Sequence, residues 1–184
     1  MAKNLEKYFI ALVPEGEIQE KATAIKLDLK EKFNLKYALK SPAHITVKMP
    51  FLWNERKEEE LIQKLGRFAK EREPFDLRLS GFWHFGNRVI FIDVVSHPQL
   101  NQLQDELSKY TKLNLKLVQE LSDRNFRPHM TLAFKDLKPK DFEVYWEYVK
   151  GLSFRERYEV SHLAILKKVE GNWQLVIQLP LGSS

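Results

Sequence analysis

Two short stretches, His44-Ile-Thr-Val47 and His129-Met-Thr-Leu132, lie 85 residues apart and occupy the same place in a doubled order of elements. The apolar run over 8–13 reads as a buried strand closed by Pro14. Residues 15–33 predict a helix, because Ile18, Ala22, Ile25, Leu29 and Phe33 recur at three- and four-residue steps. The first His-x-Thr strand follows at 44–47, and Pro50 is expected to end it. Residues 55–71 predict a second helix stopped by Pro74, and 75–85 alternate as a strand. The order then begins again. It runs through a strand at 88–95, a helix opened by Pro98, the second His-x-Thr strand, a helix at 139–150, a strand at 154–166 and a last strand at 173–179. The opening strands are 80 residues apart and the closing strands 79. Agreement in order and offset predicts an internal duplication over about 8–85 and 88–179, within one bilobal domain spanning 1–184. Hairpins mixed with helices predict an α+β fold, with antiparallel sheet on one side and helices outside.

On a strand, side chains alternate between faces. His44 and Thr46 therefore share one face, with Ile45 and Val47 on the other. His129 and Thr131 share a face opposite Met130 and Leu132 in the same way. The apolar pairs suit a core, which leaves the His and Thr on an open face. The chain has four threonines and five histidines, so two His-x-Thr pairs in matching positions are a specific signal. Two imidazoles can remove one proton and deliver another near neutral pH, which is what phosphodiester cleavage requires. Threonine hydroxyls can donate to the non-bridging oxygens, where charge gathers in the transition state. That scheme needs no metal and no cofactor.

The pair HITV and HMTL resembles the paired motifs of the two-histidine (2H) phosphoesterase superfamily, which includes the 2′-5′ RNA ligases, also described as RNA 2′,3′-cyclic phosphodiesterases. The resemblance covers nearly the whole chain. It implies two duplicated lobes related by a pseudo-two-fold axis, with a central cleft holding both motifs. It also implies metal-independent hydrolysis of a 2′,3′-cyclic phosphate to a 2′-phosphate. On this reading His44 and His129 are the catalytic pair, and Thr46 and Thr131 bind the phosphate. His129 is assigned as base and His44 as acid. The substrate partner is an RNA end or a nucleotide carrying a cyclic phosphate. Two alternatives stay open: 2′-5′ RNA ligation, and an RNA- or nucleotide-binding module without turnover.

Four further residues are candidate substrate contacts. Lys48 lies two beyond Thr46, and Arg127 two before His129, each on the motif's face if the strand stays regular. Trp83 and Phe126 are candidates for stacking on a base, ahead of Phe51 and Trp53. His84, His97 and His162 lack a threonine two residues on and read as structural. The mixed-sign run from Asn54 to Glu60 reads as a solvated helix face.

The remaining composition sets bounds. The net charge of +5 suits an anionic substrate without demanding one. With no cysteine there is no disulfide framework, no thiolate nucleophile and no cysteine-based zinc site. No Gly-rich phosphate loop and no Gly-x-Ser-x-Gly elbow is present. No stretch has the length of a membrane span, and the first apolar run is too short for a signal-peptide core. A cytoplasmic monomer is expected.

Overall fold

A computed structural model describes residues 4–183. The strands are β1 (Leu5–Leu12), β2 (Ile45–Asn54), β3 (Phe75–Phe85), β4 (Val89–Val94), β5 (His129–Phe134), β6 (Arg155–Val160), β7 (His162–Val169) and β8 (Asn172–Pro180). The helices are α1 (Glu17–Phe33), α2 (Glu58–Lys70), α3 (Pro98–Asn114), the single turn α4 (Leu121–Arg124) and α5 (Phe142–Lys150). All eight strands form one curled antiparallel sheet in the order β6-β3-β4-β5-β2-β1-β7-β8. The two His-x-Thr strands, β5 and β2, are the central neighbours.

The two half-sheets are not the two halves of the chain. Strand β3 closes the first expected repeat, yet it pairs with β4 of the second. The short turn at Gly86, with φ of 53°, obliges that adjacency. The expected strand over 154–166 is broken at Ser161. Its first part, β6, stays beside β3, while β7 pairs with β1 in the other half-sheet. One half-sheet thus contains β3 from the first expected repeat, and the other contains β7 and β8 from the second.

Strand β1 shows how one sheet serves two faces. Tyr8, Ile10 and Leu12 enter the main core beneath the helices, with Leu29, Leu61, Leu65 and Phe68. Phe9, Ala11 and Val13 point the other way and join Ala164 and Leu166 in a small second cluster. Burial on both faces explains the unbroken apolar run at 8–13. Strand β2 continues through Pro50 to Asn54, four residues beyond its expected end. Proline is tolerated there because β5 meets β2 only at Ile45, leaving that side of β2 without a ladder to break.

Ile45 and Met130 are fully buried where the half-sheets join. Met130→Ala is expected to destabilise the protein by about 2–5 kcal/mol, through lost burial and the cavity left behind. Urea unfolding midpoints measure this, and a loss below about 0.5 kcal/mol, the size of an Ile-to-Val trim, would contradict the packing.

Candidate active site

The site is built from one backbone pairing. Strands β2 and β5 run antiparallel and pair at Ile45 and Met130. That sense places Thr131 across from His44, and Thr46 across from His129. With Ile45 and Met130 pointing into the core, all four polar side chains lie on the opposite face. The four are partly exposed, while the apolar residues between them are buried.

Each motif is followed at once by a β-bulge. In β2 the register steps from Thr46, opposite Ala11, to Lys48, opposite Ile10, so Val47 is the extra residue. In β5 it steps from Thr131, opposite Phe91, to Ala133, opposite Ile90, so Leu132 is the extra residue. A bulge re-aims the side chains that follow it. Lys48 is accordingly turned off the motif's face, which corrects the expectation that it contacts substrate. It is 1% exposed, and its Nζ donates to Asp123 at 2.5 Å and to the Val118 carbonyl at 2.9 Å. Asp123 also accepts from the backbone N–H groups of Met49 and Glu120, both at 2.9 Å. This buried pair ties β2 to the segment that leads into His129.

The two imidazoles are held alike. His44 Nδ1 lies 2.8 Å from the Pro42 carbonyl, and His129 Nδ1 lies 2.8 Å from the Arg127 carbonyl. A carbonyl only accepts, so Nδ1 carries the hydrogen in both and the Nε2 lone pair is left free. Each ring also rests on phenylalanine. Phe9 of β1 sits 4.8 Å from His44. Phe91 of β4 and Phe85 of β3 sit 5.1 and 4.9 Å from His129.

The surroundings differ in charge. Burial pushes the His44 pKa down to about 4, and the charges of Lys26 and His129 add to the effect against the Pro42 contact. His129 is also lowered, by burial, with no lysine acting on it. Lys26 is a buried residue of α1. Its Nζ donates to the carbonyls of Ala38 and Ser41 at 3.0 and 3.1 Å, bracing the approach to His44. Burial lowers its own pKa to about 8. Gln19, also on α1, clamps Ala43 from both sides: it accepts from the Ala43 N–H at 2.7 Å and donates to the carbonyl at 3.0 Å.

Beside His129 lies an open depression of about 580 Å³, lined by Trp83, Phe85, Phe91, Phe126 and Arg127. Trp83 is 57% exposed on its rim. Phe126 is partly buried against the core. Arg127 is exposed, has its guanidinium 5.9 Å from the Phe85 ring, and makes no ion pair among the described residues. Three of the four extra candidates therefore collect beside His129, and Lys48 does not. Phe51 stacks on Tyr8 and packs against the core with Trp53. The other histidines hold local structure. His84 contacts the Gly86 carbonyl, His97 caps α3 by accepting from the Gln99 N–H, and His162 contacts the Ser161 hydroxyl.

Sequence reasoning missed Phe9, Phe91, Gln19, Lys26 and Asp123. For Phe9 a signal existed, since a six-residue apolar run must bury both faces. For Lys26 and Asp123 the sequence carries none, because their partners are loop carbonyls and a distant lysine.

An antiparallel sheet with helices on one face and paired His-x-Thr strands on the other defines a two-histidine phosphoesterase. The model of the 2′-5′ RNA ligase superfamily matches residues 14–172, and the chain belongs to that family. Two relatives carry the name "Putative phosphoesterase". One, from Geobacillus sp. strain WCH70, is 28% identical over 171 residues, 91% of each chain. The other, from Bacillus cytotoxicus, is 34% identical over 131 residues, 70% of each. Among solved structures, E. coli LigT complexed with 3′-AMP superposes with a TM-score of 0.68 at 19% identity, covering 97% of this chain and 99% of that one. TT0787 of Thermus thermophilus gives 0.67 at 18% identity, covering 97% and 100%. No helix among the described residues is long and apolar enough to cross a membrane.

Asp123→Asn would leave the Lys48 ammonium buried without its counter-charge and is expected to cost about 3–5 kcal/mol. Adding Lys48→Met to Asp123→Asn removes the unpaired ammonium while the amide oxygen still accepts a backbone N–H at this position, and should recover part of that loss. Chemical denaturation of the single and double variants provides the check, and a double variant no more stable than Asp123→Asn would contradict the account.

Proposed function

We propose that the protein hydrolyses a 2′,3′-cyclic phosphate, on an RNA end or a nucleotide, to a 2′-phosphate. The observation that carries this is the mirrored pair of imidazoles. Each has its Nδ1 hydrogen committed to a backbone carbonyl and its Nε2 free, with a threonine of the facing strand opposite. One imidazole takes the proton of the attacking water as its oxygen bonds to phosphorus. The other gives a proton to the 3′ oxygen as the P–O3′ bond breaks. The hydroxyls of Thr46 and Thr131 donate to the non-bridging oxygens. Arg127, without a carboxylate partner among the described residues, supplies positive charge beside His129.

The electrostatics favour the reverse of the roles assigned above. His44 is held at about 4 by burial and by the Lys26 charge, so it stays unprotonated and suits the base. His129 lacks that lysine and suits the acid. The negative charge that builds on phosphorus oxygens in the transition state raises both and supports the proton on His129. The 3′-AMP bound by E. coli LigT is consistent with nucleotide-sized substrates in such a cleft. If the 5′-hydroxyl of a second RNA replaces water, the same proton transfers give 2′-5′ ligation, and end analysis separates the two products.

RNA ending in a 2′,3′-cyclic phosphate, incubated with the protein in EDTA, is expected to yield a 2′-phosphate. His44→Ala and His129→Ala should each lose roughly 10²–10⁴ in rate. Losses below about tenfold in both would sink the mechanism. The free protein needs His44 unprotonated and His129 protonated. Activity therefore falls below about pH 4, and it falls again as pH rises through the lowered His129 value, which lies under 6.5. A kcat/KM maximum between those limits is expected, and a maximum above about pH 7.5, one unit beyond an ordinary histidine, would reject the assignment.

A further inference from the structure

Near Tyr37, in the segment that leads to His44, positive charge that the two-histidine chemistry leaves unused gathers from both half-sheets. Lys40, four residues before His44, has its Nζ 4.7 Å from the centre of the Tyr37 ring. Lys135, just past the end of β5, also lies 4.7 Å from that ring, and it donates to the Tyr37 hydroxyl at 3.0 Å. Lys168 of β7 sits 5.8 Å from the ring of Trp173. The Tyr37 hydroxyl is held below its usual range by the Lys135 hydrogen bond, then by the charges of Lys135, Lys168 and Lys40. Lys168 thus acts on the same hydroxyl from its place beside Trp173.

Lys21, Lys64, Lys109, Lys150 and Lys167 each meet a carboxylate. Lys40, Lys135 and Lys168 meet none within 4.0 Å among the described residues. The nearby Asp136 carboxylate is engaged by the backbone N–H groups of Lys36 and Tyr37, both at 2.7 Å. Two ammonium groups beside the Tyr37 ring and a third beside Trp173 repel one another, and an anion relieves that. Lys40 and Trp173 also line an open depression of about 610 Å³, together with Pro42, whose carbonyl orients His44. Glu15 is the one carboxylate on its lining. Lys135 is four residues along β5 from Thr131, which is roughly 13 Å of strand. That distance is beyond the reach of the phosphate under attack.

We propose that Lys40, Lys135 and Lys168 hold a second phosphate of the substrate, separate from the cyclic one, while Trp173 offers a face for a base. The inference rests on the reading of the previous subsection and adds to it: the substrate carries at least two phosphate groups. The second phosphate comes either from an RNA backbone or from the 5′ end of a small nucleotide.

Three substrates with the same terminal base separate these cases: a 2′,3′-cyclic nucleoside phosphate, its 5′-phosphorylated form, and a short RNA ending in the cyclic phosphate. The readout is the kcat/KM of each longer substrate divided by that of the nucleoside, taken on the parent protein and on a Lys40→Gln/Lys135→Gln/Lys168→Gln variant. A folding defect lowers both values and leaves the ratio unchanged. The parent is expected to favour a phosphate-bearing substrate by about tenfold or more, decreasingly as salt rises. The triple variant should lose most of that preference. A gain already complete with the 5′-phosphorylated nucleoside identifies the small-nucleotide source, and a gain only with RNA identifies the backbone. A parent ratio near one, or a ratio unaltered by the substitutions, would overturn the proposal. If no substrate is turned over, the hydrolytic reading fails instead. The lysine site is then judged by anisotropy with a fluorescent RNA bearing a 3′-phosphate: weaker binding by the triple variant supports it, and equal binding overturns it.

Discussion

Strands β2 and β5 meet at a single residue pair, and most of the site's geometry descends from that contact. Ile45 and Met130 pair across the centre of the sheet and bury their side chains on the helix-covered side. Antiparallel pairing then sets each histidine across from the threonine of the other motif. A bulge after each threonine turns the next side chains away from the cleft. The polar face is therefore two residues long on each strand. A one-residue slip at the pairing would send the histidines into the core, so burial of Ile45 and Met130 also fixes the register of the chemistry.

The cleft face is polar only at its centre. Beneath His44 lie Phe9 and the small cluster of Ala11, Val13, Ala164 and Leu166, and beneath His129 lie Phe85 and Phe91. This apolar floor removes solvent from the rings and lowers both pKa values. It also keeps the Nε2 atoms free, since the polar partners in reach are the two carbonyls that take the Nδ1 hydrogens. Rigid support comes from outside the cleft. Gln19 and Lys26 secure the approach to His44, and the Lys48–Asp123 pair secures the approach to His129.

The backbone is close to symmetric, and the charges are not. Lys26 lies near His44, whereas Arg127 stands beside His129. A symmetric pair of imidazoles has no reason to divide into acid and base. The unequal neighbours supply one, through the field of the buried lysine on one side. In the proposed mechanism the paired strands β2 and β5 bring the two imidazoles together, and the unequal residues around them set direction.

Much of this was legible in the chain itself. Element order, the helix faces, the strands flanking each turn and the two motifs follow from apolar periodicity and turn residues, which are local properties. The alternation His-x-Thr over Ile45, Val47, Met130 and Leu132 was enough to assign the polar face, because side-chain direction on a strand depends only on parity. Parity also produced the error at Lys48. A bulge inserts one residue and inverts it, and the bulge arises from pairing with β1, which no local pattern encodes. The exchange of β3 and β7 between half-sheets belongs to the same class. So do the carbonyls that orient the imidazoles, the buried Asp123 that takes Lys48, and the lysines gathered from positions 40, 135 and 168. Each joins residues far apart in the chain, and such contacts exist only once the sheet has closed and set its register.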